Sequence, residues 1–134
     1  MHLTPRELEK LKLLQIDGII KELLDKSSEV NGVNVISEKV DLDAGAMKNI
    51  AFKLKKQENL LVLLASDNNG KGHLMLMITD DLVKNKKLNA ANLINEISSE
   101  INGGGGGQAN FATAGGINIY GINKALEKVI LLLS

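Results

Sequence analysis

INGGGGGQANFATAGGIN, running from Ile101 to Asn118, sets five consecutive glycines before a run of small residues. Whether it is a slack tether or a shaped backbone decides how many folded units the chain contains. A glycine run standing alone reads as a flexible linker. Here too few residues follow Gly107 for an independent domain, and the apolar face of Ile122, Ala125, Leu126, Val129, Ile130 and Leu133 needs earlier elements to cover it. The run therefore belongs inside one fold, where each glycine costs about 0.5–1 kcal/mol relative to alanine in regular structure. Two physical reasons can offset that cost: dihedrals that a Cβ forbids, or close approach to bare N–H groups, which form anion-holding concavities. Nucleotide fingerprints do not fit. GxGxxG follows a strand and opens a helix, whereas this run follows a helix, and a P-loop needs Gly-Lys-Ser/Thr where Gln108 and Ala109 stand.

Outward from the glycines, the elements are read from periodicity. Asn89 caps a helix carrying Ala90, Leu93, Ile94, Ile97 and Ile101 on one side, and Phe111 to Ala114 reads as a short strand. Leu60 to Leu64 is apolar throughout, as suits a strand covered on both faces. With the turn at Asp67 to Gly72 it predicts an antiparallel hairpin onto His73–Ile78 at the sheet centre. Asp43 caps a helix with Met47, Ile50, Ala51 and Leu54 on one face, and Val33 to Ile36 begins a strand after the Asn31-Gly32 turn. Thr4-Pro5-Arg6-Glu7 has the chemistry of a helix start, and the helix that follows to about Leu24 carries two stripes. Leu8, Leu11 and Leu14 lie nearly opposite Leu13, Ile16, Ile19, Ile20, Leu23 and Leu24. Either the first stripe meets a second chain, or the helix is an ordinary core helix bent near Gly18. The whole predicts an α/β domain, a mixed β-sheet flanked by helices and preceded by an N-terminal amphipathic helix. Residues 1–30 form the helix that dimerises or connects, and 31–134 the globular part with its glycine-rich loop.

Composition narrows the function. The 134 residues are 44% apolar, enough for one real core, and 16 basic residues balance 16 acidic ones, so an anion site has to be local. Absence of cysteine excludes disulfides and thiolate metal sites and leaves the redox compartment undecided, with the reducing cytosol as the default. The N-terminus lacks the apolar core of a signal peptide and no apolar run is long enough for a membrane span, so the chain is expected to be soluble and to have no membrane partner. One Tyr and two Phe leave few carriers for base stacking. Phe111 lies in a segment that reads as an inward-facing strand, which makes it a core residue, with stacking on a base the other role open to it. Of the two histidines, His73 at a strand start reads as a turn or surface residue, and Asp80-Asp81 as acids that cap a turn or helix instead of an acid/base pair.

GGGGGQANFATAGG resembles the signature of the C-terminal domain of bacterial alanyl-tRNA synthetase, whose usual form is a glycine run followed by Arg-Pro-Asp-Met-Ala-Gln-Ala-Gly-Gly. Gly103 to Gly107, Ala112, Ala114, Gly115 and Gly116 match, while Gln108, Asn110, Phe111 and Thr113 replace the more usual Arg, Asp, Met and Gln. GVNVISEKVD, DAGAMKNIAFKLK, LLVLLAS, HLMLMITDDLVK and NAANLINEIS follow the family's order over about Gly32 to Leu133. The resemblance implies a module without catalytic residues or metal ligands of its own, lying beyond the aminoacylation and editing domains of an alanine–tRNA ligase. Such a module binds the outer corner of tRNA(Ala), pairs as a homodimer through the preceding helix at Leu8, Leu11 and Leu14, and works in the cytoplasm. ATP and zinc would belong to the other domains of the parent enzyme, which are its further partners. The residues implied in RNA binding are Gly103, Gly104, Gly105, Gly106, Gly107, Gln108, Asn110, Thr113, Gly115 and Gly116. Lys84, Lys86 and Lys87 are either added phosphate contacts or a solvated charged loop. A related domain in DHH-type phosphoesterases carries a shorter glycine motif with a histidine beside it, and no histidine stands there in this chain. Two further readings stay open: a structural or oligomerisation module without RNA binding, and the substrate-binding lobe of an oligonucleotide phosphoesterase, which needs a metal-binding domain.

Overall fold

The computed structural model describes residues 4–68 and 70–134, without the side chains of residues 9, 11–14 and 68. Helix α1 (Pro5–Asp25) starts as its sequence predicts, with the Glu7 N–H donating to Thr4 Oγ1 at 3.2 Å and the Thr4 hydroxyl donating to Glu7 Oε1 at 3.0 Å. Its later stripe docks on the core: Ile16 and Leu23 are buried, with Ile19, Ile20 and Leu24 packed beside them. Leu8, expected on the opposite stripe, is 45% exposed but lines one hollow with Ile16 and Ile19, because its place on the helix is only about 20° from that of Ile19. The side chains of Leu11 and Leu14, which complete the expected dimer face, lie outside the described residues.

Strand β1 (Ser28–Val30) turns back at Asn31 and Gly32, φ 52° and 83°, into β2 (Val33–Lys39). Left-handed values at both turn residues match the twist of a tight hairpin, which is what an Asn-Gly pair supplies. The hairpin straddles residue 30, so a boundary there passes through the sheet. Asp43 caps α2 (Ala44–Leu54) by accepting the Ala46 N–H at 2.8 Å. Strands β3 (Leu60–Asn68) and β4 (Lys71–Ile78) form the predicted antiparallel hairpin. Helix α3 (Asp80–Asn85) follows, with Asp80 and Asp81 in its first turn. Next come α4 (Ala90–Ser98), capped by Asn89, then β5 (Gly103–Gly107), β6 (Phe111–Gly116) and α5 (Ile122–Leu133). Ile101 sits in a single 3-10 turn after α4 instead of inside that helix, because the chain must tighten before it enters the sheet.

The six strands lie in the order β1-β2-β3-β4-β6-β5, with β2 and β3 parallel and every other pair antiparallel. The sheet is therefore mixed, and the apolar hairpin is at its centre. Along β3, Leu61 and Leu63 face α4 and α5, whereas Val62 and Leu64 face α1 and α2. Burial on both sides explains the unbroken apolar run, and each such side chain contributes about 1.5–3 kcal/mol. Three layers result, helices on each face of one sheet, and the glycine run forms one edge.

Candidate nucleic-acid interface

The expected glycine loop is a strand. Gly103 to Gly107 pair with Gly116 to Ala112 over their whole length, and no glycine of the run has a left-handed φ. Dihedrals forbidden to other residues are thus not why glycine stands there. Close approach is. A Cβ at Gly103 would fall on the Gly115 carbonyl, at Gly105 on the Thr113 carbonyl and at Gly107 on the Phe111 carbonyl. The same atom added at Gly104 or Gly106 meets nothing within 4 Å. Three of the five glycines are therefore required by strand packing, and two are not.

Strand tip and strand edge are both fixed by backbone bonds. Gln108 N–H donates to Phe111 O at 2.7 Å, Ile78 N–H to Asn110 O at 2.9 Å, and Ala90 N–H, at the start of α4, to Ala109 O at 2.8 Å. Alternation along an antiparallel pair then gives Gly104 and Gly106 their ladder bonds to β6 and turns the N–H and C=O groups of Gly103, Gly105 and Gly107 to the free edge. Residues directly opposite one another share a face. Rows form across three strands: His73–Gly115–Gly104, then Met75–Thr113–Gly106, then Met77–Phe111. All lie on the α2 side of the sheet. A side chain at Gly104 or Gly106 would thus project into the open space above that face.

Helix α2 stops short of this half of the sheet. Met47, Ile50, Ala51 and Leu54 bury its core side, and Lys48, Phe52 and Lys55, spaced four and three residues apart, form the flank toward the uncovered strands. Between flank and glycines lies a hollow of about 550 Å³, lined by Met47, Lys48, His73, Met75, Gly104 to Gly106, Thr113 and Gly115 among others. It continues along Phe52, Lys55, Gly107, Gln108, Asn110 and Phe111 into a second hollow of about 380 Å³. Phe52, 52% exposed, stacks on Phe111 with ring centroids 6.2 Å apart and planes at 17°, and the Lys48 ammonium stands 5.6 Å from the Phe52 centroid. Among the described residues neither Lys48 nor Lys55 has a carboxylate partner; the ion pairs are Lys39–Asp67, Lys53–Asp17 and Lys128–Glu100. A groove with bare main chain on one wall, two unpaired cations on the other and an aromatic pair between them suits a polyanion bearing planar groups.

Residues 32–134 match the DHHA1 domain family. The chain belongs to that family. Relatives of this DHHA1 domain include the alanine–tRNA ligase of Christiangramia forsetii, 42% identical over 124 residues, which cover 92% of this chain and 14% of that protein. The alanine–tRNA ligase of Bacteroides thetaiotaomicron is 46% identical over 119 residues, 87% of this chain and 14% of the relative. The chain spans about one seventh of the length of these proteins. Among solved structures, the C-Ala domain of Aquifex aeolicus alanyl-tRNA synthetase superposes with a TM-score of 0.75 at 23% identity, covering 81% of this chain and 98% of that one. At that identity the likeness is one of fold, and the fold is the one the resemblance implied.

Within the DHHA1 domain the residues singled out from sequence separate into two places. Gly104 to Gly107, Gln108, Asn110, Thr113 and Gly115 line the groove. Gly103 and Gly116 pair at its far end, where a Cβ on Gly116 would fall on the Ile101 carbonyl. Lys84, Lys86 and Lys87 line neither hollow; they lie at the end of α3, with Lys86 Nζ beside Gly32 in the β1–β2 turn. Phe111 is half-buried against the Met75 and Met77 cluster, a core residue whose ring also reaches the groove. Sequence reasoning missed Lys48, Phe52, Lys55 and His73. The α2 flank was visible on a helical wheel, but its facing strands were not, and His73 joins the groove only because β4 pairs with β6.

Asp80 and Asp81 lie in the first turn of α3, but its N-cap is Thr79, and their carboxylates tie that turn to neighbouring segments. Asp81 accepts the Asn59 N–H at 2.9 Å, and Asp80 Oδ1 accepts from the Asn110 side-chain amide at 3.3 Å. The Thr79 hydroxyl and the Asn59 N–H beside Asp81 hold its carboxyl below the usual carboxylate range. No group of three His, Cys, Asp or Glu side chains that could hold a metal ion occurs among the described residues. No helix there is long and apolar enough to cross a membrane.

Proposed function

We propose that this DHHA1 domain is the C-terminal tRNA-binding part of an alanine–tRNA ligase. It holds the outer corner of tRNA(Ala) in the groove between α2 and the β5–β6 hairpin and performs no chemistry itself. The observation that carries this reading is the pair Gly104 and Gly106, where the fold leaves room for a side chain and none is present. Bare backbone at an unfilled groove, facing the unpaired ammonium groups of Lys48 and Lys55, is what a phosphate–sugar chain lying along the sheet requires. The ligase relatives support tRNA as that chain and the remaining synthetase domains as partners. ATP and zinc belong to those other domains, and the parent enzyme works in the cytoplasm.

The test is a filter-binding titration of transcribed tRNA(Ala) against salt. Wild-type chain binds, and Lys48→Gln with Lys55→Gln lowers the salt slope; tRNA retained no better than by bare filter rejects the reading. The expected homodimer pairs through α1. Leu8, exposed beside a hollow of about 760 Å³ that Ile16, Ile19 and Leu42 line together with Gln15, Asp43 and Asn49, supports that assembly role. Sedimentation at high concentration checks it, and a persistent monomer removes it.

A further inference from the structure

Phe52 is an apolar ring on the outer flank of a helix whose core side is already filled by Met47, Ile50, Ala51 and Leu54. Its partner Phe111 is seated on Met77 across the β4–β6 pairing and on the α2-side core, so the ring pair is backed by the sheet. Half of Phe52 remains open, toward the groove that the even-numbered glycines leave unfilled. Lys48, one helical turn earlier, lays its ammonium near the ring without a carboxylate of its own. That arrangement joins a flat apolar surface to a mobile cation whose four-carbon stem can turn from the ring to a nearby phosphate.

We propose that Phe52, braced by Phe111, is a stacking platform for an exposed RNA base, and that Lys48 leaves the ring to pair with the phosphate of the same nucleotide. The proposal rests on the RNA-binding reading and names what enters the groove: a planar base, not the phosphate chain alone. Base–aromatic stacking is tolerant of base identity, so the platform adds affinity without reading sequence. Phe111, half-buried, is the positioning residue, since it sets the tilt of the Phe52 ring.

The chain contains no tryptophan, so Phe52→Trp introduces a single indole reporter on the platform. Transcribed tRNA is expected to quench its emission strongly, whereas sodium polyphosphate, a polyanion that can draw Lys48 off the ring but has no base to stack, is expected to change it far less. Phe52→Leu, which keeps an apolar contact on Phe111, is expected to weaken tRNA binding about tenfold at constant salt with an unchanged urea midpoint. Phe52→Trp is expected to bind as wild type does. If wild-type chain retains tRNA while Phe52→Leu binds equally well and the indole emission stays constant, the platform is wrong and the groove reading survives. Equal quenching by polyphosphate also overturns it, because the ring then senses charge and not a base. If wild-type chain retains no tRNA, the groove reading itself fails and the platform with it.

Discussion

On one face of the sheet, α4 and α5 cover the strands from β2 to β5; on the other, α1 and α2 cover β2 to β4 and stop. The covered face carries Ala112 and Ala114 from β6, both buried, while the uncovered one carries Thr113 and Gly115 from the same strand, both exposed. The β5 glycines follow the same division. Gly103, Gly105 and Gly107 have no space for a Cβ, and Gly104 and Gly106 have open space over the bare face. One half of the alternation serves the fold and the other half serves whatever lies on the ledge.

The sharpest way to break this division is to add a methyl group at each parity. Gly105→Ala drives its Cβ onto the Thr113 carbonyl and Ala114, so urea unfolding is expected to show a loss of about 1–3 kcal/mol. Gly106→Ala meets nothing, and since alanine restricts the unfolded chain it is expected to gain about 0.5 kcal/mol while weakening tRNA binding several-fold. Equal stability changes at the two positions would erase the distinction.

The cations give the next test. Lys48→Gln and Lys55→Gln are each expected to reduce the salt slope of tRNA binding by about one, and Lys86→Gln, beside Gly32 and away from the groove, to leave it unchanged. The reverse pattern would move the interface to the α3 end of the molecule. The smallest effect belongs to Asp81, which serves the fold and not the ledge. Its carboxyl is depressed in the folded state, so its stabilisation is present above the unfolded pKa and is lost as pH falls through the folded one. Urea midpoints of wild type and Asp81→Asn are therefore expected to differ near neutrality and converge in acid, with tRNA affinity equal throughout.

Much of this architecture was legible in the chain. The caps at Thr4, Asp43 and Asn89 and the all-apolar Leu60–Leu64 predicted helix starts and a doubly buried central strand, because each depends on local chemistry. Strand β1 escaped because Ser28-Glu29-Val30 is too short to show a period. Strand β5 escaped for a deeper reason. Five identical residues carry no alternation, so their strand character comes wholly from the register with β6. The candidate site divided likewise: the glycine motif identified one wall, but Lys48, Phe52 and Lys55 belong to the opposite wall only through tertiary packing, and the dense charge of Lys84 to Lys87 lies away from the groove, at the end of α3.

Amide NMR of the uniformly labelled chain, titrated with an RNA mimic of the tRNA outer corner, decides whether RNA lies on the glycine ledge. Shifts are expected to concentrate at Gly103 to Gly107, Lys48, Phe52 and Thr113, with α4, α5 and Lys84 to Lys87 unmoved. Shifts gathered on the α4–α5 face, with the glycine amides silent, would contradict that placement.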